Sequence, residues 1–275
     1  MNRRAALGLG SLAFVPAALT MLAAPSAKSP QTAVTPSDAA VRAIVQRGID
    51  YAGGMGPWAS KKSVEFKKTV TKFKPDGTVE WIHVEKHRYR LQPSFGARIE
   101  REESGKQSLM VNNGWKAWKF LDGQEMTSQT DNNSARGSTF GSHYVFGMPF
   151  KLLDPGVHLA AAGRERLAGG LEVEKVRATY DKGAGDAGGY HTWTYYFDMK
   201  TGRLAANHLN YDSGRFDFTE YYDDKTFDGV RVATHRKGFN GDAKGKAGRQ
   251  TTDTVYEEVR FNVPLDDSMF APPKH

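Results

Sequence analysis

Residues 190–239 read YHTWTYYFDMKTGRLAANHLNYDSGRFDFTEYYDDKTFDGVRVATHRKGF, and this stretch decides the fold class. His191, Trp193, Tyr195 and Phe197 alternate with Tyr190, Thr192, Thr194 and Tyr196, the period-two pattern of an extended strand. Asp198-Met199-Lys200-Thr201-Gly202 then supplies a turn, with Gly202 free to take a positive φ. Residues 203–211 form a second strand, and Asp212-Ser213-Gly214 closes a tight hairpin. The third strand sets Phe216, Phe218, Glu220 and Tyr222 on one face against Arg215, Asp217, Thr219 and Tyr221 on the other. Phe227-Asp228-Gly229 turns into a fourth strand over 230–239. Four successive antiparallel strands make a sheet, and its apolar face needs a cover.

Upstream, residues 61–73 and 78–91 form long strands joined by Lys74-Pro75-Asp76-Gly77. Residues 95–103 and 106–111 pair around Ser104-Gly105, and 115–120 follows Asn112-Asn113-Gly114. Residues 171–181 and 254–261 complete the set, with 182–189 and 240–249 read as Gly-rich connections, the second of them mobile. About eleven antiparallel strands in one sheet imply strong curvature. The expected architecture is therefore mainly β, a single half-barrel domain over residues 36–275.

Two helical segments are available as cover. Thr35-Pro36-Ser37-Asp38 opens a helix whose stripe is Ala40, Val41, Ile44, Val45 and Gly48, and Gly53-Gly54 ends it. Residues 122–138 are polar and loop-like, with some helix over 134–141. Residues 140–157, FGSHYVFGMPFKLLDPGV, carry a dense apolar cluster, and Pro149 and Pro155 exclude one long helix there. A short helical plug is expected.

The first 27 residues read as an export signal. Met1-Asn2-Arg3-Arg4 is a basic start, residues 5–24 are apolar and uncharged, and Ala24-Pro25-Ser26-Ala27 offers cleavage sites. The rival reading is a retained membrane helix, since the apolar run approaches spanning length. Arg3-Arg4 suits either the general or the twin-arginine export route, and residues 28–35 form a linker. A periplasmic location follows from the signal reading. The formal charge of +7 becomes +5 once Arg3 and Arg4 leave with the signal. That surplus favours an anionic membrane surface, while export and the lack of any nucleic-acid motif argue against nucleic acid.

The sequence contains no cysteine, which excludes disulfides, thiol nucleophiles and thiolate metal sites. No P-loop, dinucleotide fingerprint or zinc motif occurs, so no cofactor is implied. Gly141-Ser142-His143 lacks the strand–turn–helix setting of a nucleophile, and nothing supports an enzyme. His83 and His87 stand on one strand face near ~13 Å apart, too far to share an ion by themselves. His191, His208 and His235 lie on the first, second and fourth strands of residues 190–239 and approach one another only if the register allows. Glu220 has two readings: a carboxylate with raised pKa among aromatics, or a partnered group at the rim.

The helix ending in Gly53-Gly54 with Trp58 beyond it, the hairpin YYFDMKTGRL, the turn YYDDKTFDGVRV and the ending EEVRFNVPLDDSMFAPP recur in one family. Together they resemble the exported bacterial LolA-like proteins, the outer-membrane lipoprotein-sorting superfamily, across most of residues 36–273. HYVFGMPFKLLDPGV resembles an uncharacterised branch of it more than the lipoprotein carrier itself.

The resemblance implies a half-open curved sheet with helices plugging its concave face, where acyl chains of lipids or lipoproteins bind. The expected function is a non-enzymatic carrier or binder of these or of another apolar ligand. The residues expected to line that cavity are Trp118, Phe146, Met148, Phe150, Trp193, Phe197, Phe216 and Phe218. The alternative is a cell-envelope interaction or sensor domain that fills its sheet with its own side chains and binds protein at the rim.

Overall fold

A computed structural model describes residues 36–185 and 191–273. The expected signal and linker, and Tyr190 of the deciding stretch, lie outside these residues.

Turn chemistry and alternation build one antiparallel sheet of thirteen strands. In chain order they are β1 (Ser63–Phe73), β2 (Val79–Arg90), β3 (Gly96–Glu103), β4 (Lys106–Asn112), β5 (Ala117–Leu121), β6 (Gln124–Met126), β7 (Val157–Arg166), β8 (Glu172–Tyr180), β9 (Thr192–Asp198), β10 (Leu204–Asn210), β11 (Phe216–Phe227), β12 (Val230–Gly241) and β13 (Ala247–Phe261). Their spatial order runs β6-β5-β4-β3-β2-β1-β13-β12-β11-β10-β9-β8-β7, so the sheet is unclosed. Every neighbouring pair but β1·β13 is consecutive in sequence. That one pairing joins the first meander to the last strand, Val64 lying opposite Phe261.

The turns form as their residues dictate. In the β9–β10 turn Asp198 Oδ1 accepts from the Lys200 N–H at 2.9 Å, and Gly202 sits at φ 80°. A Cβ on Gly202 would stand 2.7 Å from the Arg47 carbonyl oxygen, so the turn can approach the helix only as glycine. Asp228 and Gly229 both take positive φ, as a tight two-residue hairpin turn demands.

Two of the thirteen strands, β6 and β7, lie where the sequence reads as loop. The first has only three residues. The second is an edge strand, VHLAAAGRER, in which no residue is fully buried, so its faces carry little contrast. Half of the segment 240–249 is strand: β12 runs to Gly241, β13 begins at Ala247, and Asp242 braces the turn by accepting from the Lys244 and Lys246 N–H groups.

Helices lie on the inner face. The first, α1 (Pro36–Tyr51), buries Val41, Val45 and Ile49 on one stripe, with Ala52 just beyond it, and packs on β7, β8 and β9. A short α2 (Met55–Ala59) follows. The third, α3 (Gln129–Phe146), packs on β3, β4 and β5 and is far longer than the plug expected from sequence. The Ser128 hydroxyl caps it by accepting from the Asp131 N–H at 3.1 Å. Pro149 does not shorten it, because the helix is already complete at Phe146 and capped at Gly147. A 3-10 turn, Phe150–Leu153, completes the cover. None of the helices among the described residues is long and apolar enough to cross a membrane.

Candidate functional site

The inner face divides into a filled half and an open half. In the filled half, Tyr144, Phe146, Met148, Phe150 and Leu152 are all buried against α1 and the sheet. Phe146 stacks on Phe66 with centroids 4.4 Å apart, and Trp58 stacks on Phe150 at 4.9 Å. The space beside Met148 and Pro149 amounts to about 20 Å³. That is room for one water and no larger guest.

The open half lies where the C-terminal part of α3 passes over β11, β12, β13 and β1. A cleft of about 250 Å³ remains there, bounded by Gly141, Ser142 and Val145 from α3 and by Lys68, Thr219, Arg236, Gly238, Thr252, Thr254 and Tyr256 from the sheet. Register explains the cluster. Tyr221 and Thr254 both stand opposite Arg236, and Thr219 and Thr252 both stand opposite Gly238, so these side chains share one face. The lining is mostly hydroxyls and cations.

Arg236 is 5% exposed. Its Nη1 donates to the Tyr256 hydroxyl at 3.0 Å and its Nη2 to the Val145 carbonyl at 3.0 Å. The guanidinium lies over the rings of Tyr256 and Tyr221, 4.7 and 5.0 Å from their centroids. Its Nε is buried without a partner, and among the described residues no carboxylate reaches it.

A buried charge network borders the cleft. Glu85 accepts from Lys68, Arg101 and His87, each at 2.8 Å. Burial alone would raise the Glu85 carboxyl, but Lys68 and His87 hold it well below the usual carboxylate range. Burial pushes His87 down to about 4 despite that carboxylate, so it is neutral at pH 7. Its second nitrogen meets the Tyr89 hydroxyl at 2.8 Å. Beneath α3, burial with Lys151 nearby pushes His143 down to about 3, and its Nε2 has no hydrogen-bond partner.

The structure gathers five of the eight residues expected to line a cavity. Phe146, Met148, Phe150, Trp193 and Phe197 belong to one buried cluster on the inner face. Phe218 packs with Tyr196 in a second cluster, and Trp118 with Val111 and Phe120 in a third. Phe216 stacks on His208 with centroids 5.5 Å apart. Tyr196 and Glu220 both pair with Ala206, which sets Phe218 on the side of Tyr196 and away from Tyr195 and Phe197. Aromatic residues line both faces of this meander, so alternation alone does not say which row faces in.

The histidines stay apart. No group of three metal-ligating side chains occurs among the described residues. His208 meets the Asp242 carbonyl at 2.9 Å, and His235 meets Asp253 at 3.0 Å. Glu220 accepts from the Tyr222 hydroxyl and is partly exposed. Lys68, Ser142, Arg236 and the three threonines were not among the expected site residues. Their signal in sequence is parity with Tyr221 and Tyr256, legible only once the strands are paired. A larger groove of about 430 Å³, lined mainly by charged residues such as Glu65, Lys67, Lys86 and Glu100, belongs to the ion-paired outer surface.

No protein-family model matches the sequence, and neither does any curated protein. Solved structures do match. A DUF1329 family protein from Desulfovibrio piger superposes with a TM-score of 0.55 at 13% identity, covering 84% of this chain and 96% of that one. A LolA superfamily protein from Nitrosomonas europaea gives a TM-score of 0.55 at 13% identity, covering 84% and 97%. The chain has the LolA-like fold, an unclosed antiparallel sheet with helices across its inner face.

Proposed function

We propose that the protein is a non-enzymatic binder or carrier of an amphipathic lipid or acylated protein, exported to the periplasm by residues 1–27 and folded over 36–275. The observation that carries this reading is the cleft of about 250 Å³ between α3 and the inner face of the sheet. Its inner wall is Tyr256 and Val145, which pack against the aromatic cluster of Phe66 and Phe146. A polar mouth on an apolar interior suits an amphiphile. The volume falls just below the ~300–1,000 Å³ of ordinary ligand pockets. A full acyl chain therefore fits only if residues 144–153 yield, and its tail would then meet Phe146, Met148, Phe150, Trp193 and Phe197.

The test is to fill the cleft from a position that has space. A Cβ on Gly141 of α3 meets nothing within 4 Å, so Gly141→Phe projects into the opening without a clash at its first atom. Wild-type protein is expected to take up a fluorescent fatty acid saturably, and Gly141→Phe to lose uptake while unfolding as cooperatively as before. The packed segment 144–152 favours the second reading, an envelope interaction domain with a self-filled core. Folded wild-type protein without saturable uptake at any of several chain lengths establishes that reading instead.

A further inference from the structure

We infer that the cleft holds an oxyanion, a carboxylate or phosphate, on Arg236, and this rests on the reading that the cleft binds an amphiphile. Arg236 is the observation that requires explanation. A guanidinium has five N–H donors and cannot shed its charge. Here it is buried, two hydrogen bonds go to a neutral hydroxyl and a neutral carbonyl, and Nε–H is left with none. A buried cation without an anion is costly, and such groups are paired in folded proteins. The other inner-face cations nearby have their carboxylates: Lys68 and Arg101 share Glu85, and Lys119 meets Glu103. Arg236 alone of these has no carboxylate partner among the described residues, and it lines the cleft.

The surroundings suit an oxygen-rich anion. Thr219 from β11 and Thr252 and Thr254 from β13 present hydroxyls on either side of β12, Ser142 presents another from α3, and Lys68 supplies a second cation. Gly238, opposite Thr252, makes room for the Thr252 hydroxyl, since a Cβ there would stand 2.2 Å from its oxygen. The tyrosine rings flanking the guanidinium hold it in place and exclude water, which strengthens a charge-assisted hydrogen bond. The anion would enter between α3 and the sheet with its apolar portion toward Tyr256 and Val145.

The experiment compares three probes on the full chain: a long-chain fatty acid, its uncharged methyl ester, and inorganic phosphate alone. The wild type should bind the acid on the order of tenfold more tightly than the ester, the gain of one charge-assisted contact. In Arg236→Gln the two should bind alike. Saturable binding of inorganic phosphate that competes with the acid identifies a free oxyanion site, and binding of the acid alone identifies a headgroup attached to a chain. Equal affinity of the wild type for acid and ester overturns the oxyanion assignment and leaves the amphiphile reading intact. Absence of binding by all three probes overturns both. Should Arg236→Gln fail to fold, the wild-type comparison still decides, and Arg236→Lys, which keeps the charge and loses the fork, should retain part of the preference for the acid.

Discussion

The two halves of the inner face are made from the same strands yet behave as opposite materials. Toward α1 and the 3-10 turn, Phe66 and Phe197 of the sheet pack with Val45 of α1, Phe146 of α3 and Phe150 of the turn, with little space left. Toward the C-terminal half of α3, it presents Arg236, Lys68 and three threonines to a cleft. The cover explains the difference. The end of α3 and the segment after it enter the sheet with Tyr144, Phe146, Met148 and Phe150, whereas over the cleft α3 sets Gly141 and Ser142 beside Val145. Small and polar residues on the buried side of a helix cannot fill a concavity. The filled half supplies stability and the open half supplies chemistry.

The largest effect that separates them is truncation. Phe146→Ala removes a fully buried ring from the stack on Phe66 and is expected to cost about 3–5 kcal/mol in denaturant unfolding. Thr252→Ala, at the cleft, should stay within about 1 kcal/mol. Equal costs at the two positions would erase the distinction.

Acid should weaken the α3 side next. His143 is buried neutral, with its pKa lowered from 6.5 to about 3. The unfolded chain therefore binds a proton that the folded chain refuses. Stability should be fully present above about pH 6.5, fall as pH drops from there toward 3, and level off below that value. The loss amounts to a few kcal/mol, and unfolding curves of His143→Gln should lack that part of the slope. A wild-type stability that is flat between pH 6.5 and 4 would contradict the burial argument.

The smallest effect sharpens the boundary. Met148 borders the space of about 20 Å³, so Met148→Trp overpacks it and should cost about 1–3 kcal/mol. If the variant instead unfolds as the wild type does, the filled half has more slack than its packing indicates.

Much of the fold was legible in the sequence, and the reasons are local. Period-two alternation and turn residues such as Gly202, Gly214 and Gly229 need no knowledge of partners, and all three take positive φ in the structure. The first helix was legible because its stripe is apolar. The third was not, because its buried face includes Thr139, which hydrogen-bonds Asn112 at 2.8 Å across to β4. A polar helix buried by polar pairing leaves no hydrophobic period to read. The cleft failed for a related reason. Its residues come from β1, α3, β11, β12 and β13, and only the register brings Thr219, Gly238 and Thr252 into one row. Phe216, Phe218 and Trp118 were expected inside on aromatic character, which fits the outer face of this sheet equally well.

The central claim is that the open half is a binding site, and native mass spectrometry of the protein purified from a bacterial envelope tests it most directly. The wild type is expected to carry one acidic amphiphile per chain, released on denaturation, and Gly141→Phe purified in the same way to carry none. Wild-type protein of bare polypeptide mass, folded and free of copurified lipid, would contradict it.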